Sequence, residues 1–190
     1  MANLNYKGEF LRKLIHLSSS VFPIALFYVD TYYCKIIFSL IAITFVVVDY
    51  LRPKVELIGS LSNHIFGVVT RLNEKIELSG ASYVFISVAL CTIIFDTHIA
   101  IISLFALSIC DSIAALIGIP YGKTNFLDKS LEGSLAFLIS LLVIFFIFNI
   151  YWISAFVIAL IVTFIEAKKT FINDNLLIPF SVGLLLTILT

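Results

Sequence analysis

Apolar residues follow one another in long runs along most of this chain, and polar residues gather between the runs. Runs of about 15–21 residues have the length that spans a bilayer as an α-helix. We therefore predict an all-α fold, a polytopic integral membrane helix bundle forming one domain over residues 1–190. The seven predicted transmembrane helices, six if the short third run does not cross fully, are 14–29, 34–51, 81–95, 98–118, 131–149, 151–167 and 174–190.

Composition supports a membrane protein and excludes other classes. The chain is 61% hydrophobic and 13% charged, which is incompatible with a soluble globular domain. Its formal net charge is zero, so it lacks the basic surplus that nucleic-acid binding requires. The three cysteines have no metal-binding spacing and are interpreted as packing residues.

The distribution of charge predicts the orientation in the membrane. With seven spans, Lys35 alone of the 12 lysines and arginines falls on one side, so the N-terminus and the opposite loops are expected to be cytoplasmic. Among the acidic residues, only Asp30 and Asp96 fall on the same side of the membrane as Lys35. Because the positive-inside rule makes no demand on acids, both signs on one face indicate a polar site there. The expected location is a prokaryotic cell membrane, or the endoplasmic reticulum if the source is eukaryotic.

The strongest chemical signal is Asp111, which lies inside an apolar run. A carboxylate in a hydrocarbon-length helix costs about 2.5–3.5 kcal/mol on insertion scales, so such a residue is a functional candidate. Helical spacing places it on one face with four small or polar residues that suit close packing around a buried site. These are Ser108, Ser112, Ala115 and Gly118.

Two further groups of polar residues lie at the start of the first predicted span and at the end of the second. Glu9, Arg12, Lys13 and His16 recur at helical spacing and form one stripe. This stripe is either a solvated juxtamembrane pairing or a basic surface reaching toward phosphate, and His16 is either a packing residue or a proton acceptor.

Asp49 and Arg52 lie three residues apart at the end of the second predicted span, where Pro53 ends the helix. They form either a helix-end ion pair or a part of the site. Residues 54–80 have near-helical apolar spacing, which predicts an amphipathic helix lying on the cytoplasmic membrane surface.

The turn after Gly118 resembles a phosphate-binding P-loop, but it has three residues between its glycines where the motif requires four. A Walker nucleotide fold is therefore rejected, and general anion chemistry remains. Ser130 is a predicted N-cap, and the amides of residues 131–133 would face an anion beside Lys123 and Lys129. Glu132 is either a neutralising group for the helix dipole or a catalytic carboxylate, and Gly133 is assigned to phosphate binding.

The last span opens with Asn173, Asp174 and Asn175. One interpretation is that Asn173 or Asp174 caps the helix. The other is that Asp174 and Asn175 donate oxygen ligands to Mg²⁺, which proteins usually hold with few carboxylates and the phosphates of a substrate.

Read together, these elements resemble the family of dolichol kinases, phytol kinases and CTP-dependent diacylglycerol kinases. In two places the chain departs from the pattern usual in that family, with Cys110 before the aspartate and Ile119-Pro120 after Gly118. The matching pieces are Arg12-Lys13-Leu14-Ile15-His16, Asp49 with Arg52, Gly80-Ala81-Ser82-Tyr83, Asp111-Ser112 with Ala115 and Gly118, Gly122-Lys123, Lys129-Ser130-Leu131-Glu132-Gly133-Ser134, and Glu166 with Asp174-Asn175-Leu176-Leu177-Ile178-Pro179.

The resemblance implies phosphoryl transfer from CTP to a lipid alcohol at the cytoplasmic surface. The alcohol is a polyprenol such as dolichol, a phytol-like alcohol or diacylglycerol. In this hypothesis Asp111 is catalytic as the residue that holds Mg²⁺, with Asp174 and Asn175. The proton of the hydroxyl is accepted by Asp49 or Glu132, which are equal candidates, or by His16. The groups expected to bind the nucleotide and its phosphates are Arg12, Lys13, Arg52, Lys123, Lys129, Ser130 and Gly133.

Two other functions stay open from the sequence. The Asp-Ser and Lys-Ser-x-Glu-Gly arrangements are also similar to CTP:phosphatidate cytidylyltransferases, which transfer CMP. A small transporter would also place charges in membrane helices, but over the full membrane depth. Here the outer half carries almost none, which disfavours a path across the membrane. The expected partners are CTP, the lipid alcohol and membrane lipids, with no nucleic acid.

Overall fold

The computed structural model describes residues 6–67 and 78–190 and confirms an all-α protein. One short hairpin pairs strands β1 (Asn125–Phe126) and β2 (Lys129–Ser130). A π-helical turn over Ala106–Cys110 joins α6 to α7 without a break. The helices are α1 (Tyr6–Ser18), α2 (Val21–Tyr28), α3 (Thr31–Leu51), α4 (Glu56–Phe66), α5 (Gly80–Ile94), α6 (Thr97–Phe105), α7 (Asp111–Tyr121), α8 (Leu131–Ile147), α9 (Trp152–Ala167) and α10 (Asp174–Leu189).

Each of the seven predicted apolar runs coincides with helix in the structure. Three helical stretches are long and apolar enough to cross a membrane, namely Gly8–Tyr28, Thr31–Leu51 and Thr97–Tyr121. Four more apolar helices, α5, α8, α9 and α10, are shorter, at 15 to 17 residues. The protein is therefore a membrane protein by its helices, while the count of seven spans and the side of the N-terminus stay predictions.

The first predicted span overlaps the apolar stretch Gly8–Tyr28 and contains a turn that separates α1 from α2. The chain turns at Ser19 and Ser20, whose N–H groups donate to the carbonyls of His16 and Leu17 at 3.1 Å. Each bond joins residues three positions apart, as in a 3₁₀ turn, which is tighter than an α-helical turn. His16 thus lies at the end of α1.

Side-chain caps fix where several helices begin. Ser130 Oγ accepts the Gly133 N–H at 3.3 Å, which confirms the predicted N-cap of α8. Asn173 Oδ1 accepts the Asn175 N–H at 3.0 Å and caps α10, as predicted. Each cap satisfies a backbone donor that the first helical turn leaves without a partner.

The helix core has two adjoining parts. One is built from α6 to α10 around fully buried side chains such as Phe137 and Phe145. The other joins α2, α3, α5 and α6. Helices α7 and α8 approach closely, since a Cβ added at Gly118 would lie 3.2 Å from Gly133 Cα. The small face predicted around Asp111 therefore does serve close helix packing.

The predicted amphipathic segment 54–80 is described only in part. Helix α4 occupies Glu56–Phe66 within it. Residues 68–77 lie outside the described residues, so the position of this segment on the membrane surface stays a prediction.

Candidate active site

Buried charge from α1 meets buried charge from α7. Lys13 Nζ lies 2.5 Å from Asp111 Oδ2, and His16 Nε2 lies 3.3 Å from the same oxygen. All three side chains are almost fully buried. Lys13 and His16, two residues of the predicted stripe, therefore face Asp111.

The π-helical turn shapes this contact. Asp111 N–H donates to the Ala106 carbonyl five residues earlier, which widens the helix just before the carboxylate. His16 Nε2 lies 2.9 Å from the Leu107 carbonyl of that turn. Because a carbonyl oxygen only accepts, His16 Nε2 is the donor in this contact. Ser112 Oγ adds a bond to the Lys13 carbonyl at 3.3 Å.

Asp49 has more partners than the predicted helix-end ion pair. Its Oδ2 accepts the Ser79 N–H at 2.7 Å and the Ser82 hydroxyl at 2.5 Å. Arg52 Nη1 lies 3.4 Å from the other oxygen, Oδ1. The two serines were not among the predicted site residues, although small polar residues opening an apolar helix are a usable signal. Asp49 is thus held to the start of α5.

A second charged cluster surrounds Lys129. Its ammonium lies 2.7 Å from Glu166 Oε1 and 2.9 Å from Asp174 Oδ2. Burial acts to lower the pKa of Lys129, but the carboxylates of Glu166 and Asp174, and more weakly that of Asp111, offset this and leave its pKa raised. The Asp111 charge is therefore close enough to act on this cluster.

Glu166 is the group that the predicted site omitted. It is a carboxylate inside the apolar run of α9, so its burial cost could have marked it. It is 3% exposed, and its Oε2 is buried without a hydrogen-bond partner among residues 6–67 and 78–190. A buried carboxylate oxygen of this kind is an available acceptor for a cation or a proton donor.

The predicted anion site at the start of α8 needs a correction. The Leu131 N–H donates to the Thr124 carbonyl at 2.8 Å, and the Gly133 N–H is used by Ser130 Oγ. These two amides are not free, because the loop and the cap satisfy them. Glu132 accepts the Thr124 N–H at 3.2 Å, so a carboxylate of the chain already binds this turn. Lys123 beside it is exposed.

A cavity of about 320 Å³ lies between α1–α2, α3, the start of α5 and Asn175 of α10. Polar residues at one end include Arg12, Asp49 and Arg52, and His16 also lines it. Most of the remaining lining residues are apolar, namely Ile15, Val21, Phe22, Phe45, Val48, Ala81, Val84 and Phe85, and the others are Ser18, Ser19, Ser62, Ser79, Gly80 and Asn175. The cavity therefore joins a charged end to an apolar interior.

The predicted metal ligands do not form one cluster by themselves. In residues 6–67 and 78–190, no three His, Cys, Asp or Glu side chains are arranged to hold a metal. Asp111 pairs with Lys13, and Asp174 pairs with Lys129. The side-chain Nδ2 of Asn175 donates to the Gly80 carbonyl at 3.0 Å. The side-chain oxygen Oδ1 of Asn175 is therefore the atom able to coordinate a metal.

The chain is similar to proteins of bacteria and fungi. It is 31% identical to an uncharacterised protein of Rickettsia prowazekii, over 99% of its own length and 98% of that protein. It is 30% identical over 68% of its length to CTP-dependent diacylglycerol kinase 1 of Eremothecium gossypii. The protein of the same name from Schizosaccharomyces pombe is 31% identical over 68% of the chain.

These kinase matches cover only part of the longer proteins. The matched region is 43% of the Eremothecium kinase and 62% of the Schizosaccharomyces kinase. No protein-family model matches the chain. No solved structure matches it.

Proposed function

We propose that this chain, which belongs to the same family as the uncharacterised Rickettsia prowazekii protein, is a membrane lipid kinase that uses CTP. Its similarity to CTP-dependent diacylglycerol kinases supports a lipid kinase at the coarse level. The acceptor is the hydroxyl of a lipid alcohol (polyprenol or dolichol, a phytol-like alcohol, or diacylglycerol) at the cytoplasmic face.

The observation that carries the proposal is the meeting of charges from distant parts of the chain. Lys13 contacts Asp111, and the Asp111 charge also acts on Lys129 of the second cluster. Phosphoryl transfer depends mostly on positioning and on stabilising the charge of the phosphates. A buried lysine and a partly exposed one, each held by carboxylates, suit the binding of a triphosphate.

In this proposal the basic groups bind the triphosphate. Lys13 and Lys129 supply charge from the two clusters, and Arg12 and Arg52 line the polar end of the cavity. Lys123 is exposed and would reach phosphate only from the loop side, with Ser130 and Gly133 shaping that loop.

Asp49 is the best-placed group to accept the proton of the hydroxyl. Its Oδ2 is occupied by two donors, whereas Oδ1 has, in the part of the chain that the structure describes, Arg52 at 3.4 Å. Glu132 is occupied by the Thr124 amide, and Asp111 is neutralised by Lys13. As the proton moves to Asp49, the lipid oxygen bonds to the γ-phosphorus, the bond to the β–γ bridging oxygen breaks, and CDP leaves.

The carboxylates present fit Mg²⁺ only together with the phosphates of a substrate. Glu166 Oε2 is a buried acceptor without a partner, and Asp174 is partly exposed beside it. Asp111, Asp174 and the Asn175 carbonyl oxygen are the proposed ligands, with Glu166 added. Mg²⁺ would offset the negative charge that the phosphates carry in the transition state.

The proposal is tested with purified protein and CTP labelled at either the α or the γ phosphate, using a panel of lipid alcohols. Label from the γ position in the lipid is the expected result. Label from the α position would show CMP transfer, as in a cytidylyltransferase, and would overturn the kinase. Label from neither position would leave a transport function, to be tested in proteoliposomes. Asp111→Asn, which keeps the shape of the side chain, should abolish the transfer.

A further inference from the structure

We infer that the cavity between α1–α2, α3 and α5 binds the hydroxyl end of the acceptor lipid, and that Phe22, Phe45 and Phe85 select the shape of its chain. This inference rests on the proposed kinase function. It adds the place where the acceptor binds and the residues that discriminate between acceptors.

The cavity arises from how the surrounding helices pack. Helix α1 packs on α7, whereas α3 packs mainly on α5. Helices α1 and α3, on either side of the cavity, therefore pack against different helices, which leaves space between them. Its volume of about 320 Å³ is at the lower end of the range for small-molecule sites.

The chemistry of the walls favours a lipid alcohol over the cytidine of CTP. A cytosine base needs hydrogen-bonding partners along its polar edge, and an unpaired polar group in an apolar site is costly. Away from the charged end, the walls are mainly aliphatic and aromatic, and the hydroxyls of Ser18 and Ser19, which also line the cavity, already donate to carbonyls of their own helix. A hydroxyl on an apolar chain matches both ends at once.

Three aromatic rings close the apolar part. The centroids of Phe22 and Phe85 lie 5.5 Å apart in an edge-to-face arrangement, and those of Phe45 and Phe85 lie 4.1 Å apart. Phe85 contacts both other rings and is the centre of the group. Packed aromatic rings fill space with little freedom to adjust, so this wall should discriminate against bulky chains.

The charged end lies beside the reacting groups. Asp49 lines the cavity, and His16 lines the cavity while contacting Asp111. Asn175 also lines it, next in the chain to Asp174 of the Lys129 cluster. A hydroxyl held at this end would therefore meet phosphates bound by the two charged clusters.

The first experiment compares two alcohols of equal carbon number, one unbranched and one methyl-branched near the hydroxyl. We expect Phe85→Ala to raise the kcat/KM ratio of branched to unbranched alcohol by at least about threefold, because it removes the central ring. Phe146→Ala, at a ring that is 83% exposed on α8, should leave the ratio unchanged. An unchanged ratio in Phe85→Ala and in the milder Phe85→Leu would overturn the inference.

The second experiment does not depend on turnover. A single-chain alcohol carrying a photoreactive diazirine on its tail is cross-linked to the protein in lipid nanodiscs, and the labelled peptides are mapped. Labelling concentrated on residues around Phe22, Phe45 and Phe85, and competed by unlabelled alcohol, is expected. Labelling spread over the outer helix surfaces would overturn the inference even if kinase activity is present. Cavity labelling without γ-phosphate transfer would support the binding site while refuting the kinase.

Discussion

Lys13 and Asp111 are separated by 98 positions in the chain, and their charged atoms lie 2.5 Å apart inside the protein. This pair ties α1 to the start of α7 and makes the position of each residue depend on the other. Breaking a buried ion pair from one side is expensive, because it leaves the other charge without compensation.

Lys13→Met should therefore lower the free energy of unfolding by about 3–5 kcal/mol. The double variant Lys13→Met/Asp111→Leu should recover most of this loss, since no buried charge remains, and should still be inactive. Thermal unfolding in detergent measures the first effect and γ-phosphate transfer the second. Lys168→Met, at an exposed lysine, is the control. Recovery of activity in the double variant would show that the pair serves stability alone.

The Lys129 cluster predicts how stability depends on pH. A lysine whose folded-state pKa is raised adds stability that is fully present below its unfolded pKa of about 10.4 and is lost as pH rises through the folded value. The difference in Tm between the wild type and Lys129→Met should stay constant from about pH 7 to about pH 9 and shrink only above about pH 10.

Lys123→Met is the matched control, because Lys123 lies in the same hairpin region but is exposed. It should change Tm little at any of these pH values. A Tm difference for Lys129→Met that already falls between neutral and mildly basic pH would contradict the assigned ion pairs.

The proton acceptor can be identified by comparing two conservative substitutions. Asp49→Asn should lower kcat by about 100-fold or more, because the amide cannot take the proton. Glu132→Gln should retain activity within about tenfold, since its amide oxygen can still accept the Thr124 N–H. Larger loss from Glu132→Gln than from Asp49→Asn would reverse the assignment.

The close approach of α7 and α8 predicts a packing effect. In Gly118→Ala the new Cβ would lie 2.9 Å from Ser130 Oγ and 3.2 Å from Gly133 Cα, so the backbone of α8 must shift. We expect a loss of about 1–3 kcal/mol in the free energy of unfolding, as for other overpacked sites. Leu135→Ala on the exposed side of α8 should cost less. Equal losses would show that the two helices adjust freely.

The positions of the apolar helices could be predicted because run length and hydropathy are local properties of the chain. Ser130 and Asn173 as caps were predictable for the same reason. The turn at Ser19 and Ser20 was not, because serines in an apolar run are compatible with continuous helix. Local pattern thus fixes where helices form and leaves their interruptions to tertiary packing.

Pairing between distant residues could be predicted only in part. The sequence predicts Asp111 as a site residue because charge is costly in an apolar run, Asp49 through its spacing with Arg52, and Lys129 through its place beside the start of α8. It did not reveal that Ser79 and Ser82 hold Asp49, or that Glu166 shares Lys129 with Asp174. These contacts depend on how helices pack, which a single sequence does not specify.

The wide turn over Ala106–Cys110 has one more residue than an ordinary helical turn between the same neighbours. Deleting Ile109 would give this turn the length of an ordinary α-helical turn, with the Asp111 N–H still at the Ala106 carbonyl. The helix beyond it should therefore keep nearly the same direction, and Asp111 should still face Lys13. The narrowed backbone would instead displace the Leu107 carbonyl that His16 contacts, so the extra residue serves to present that carbonyl to His16.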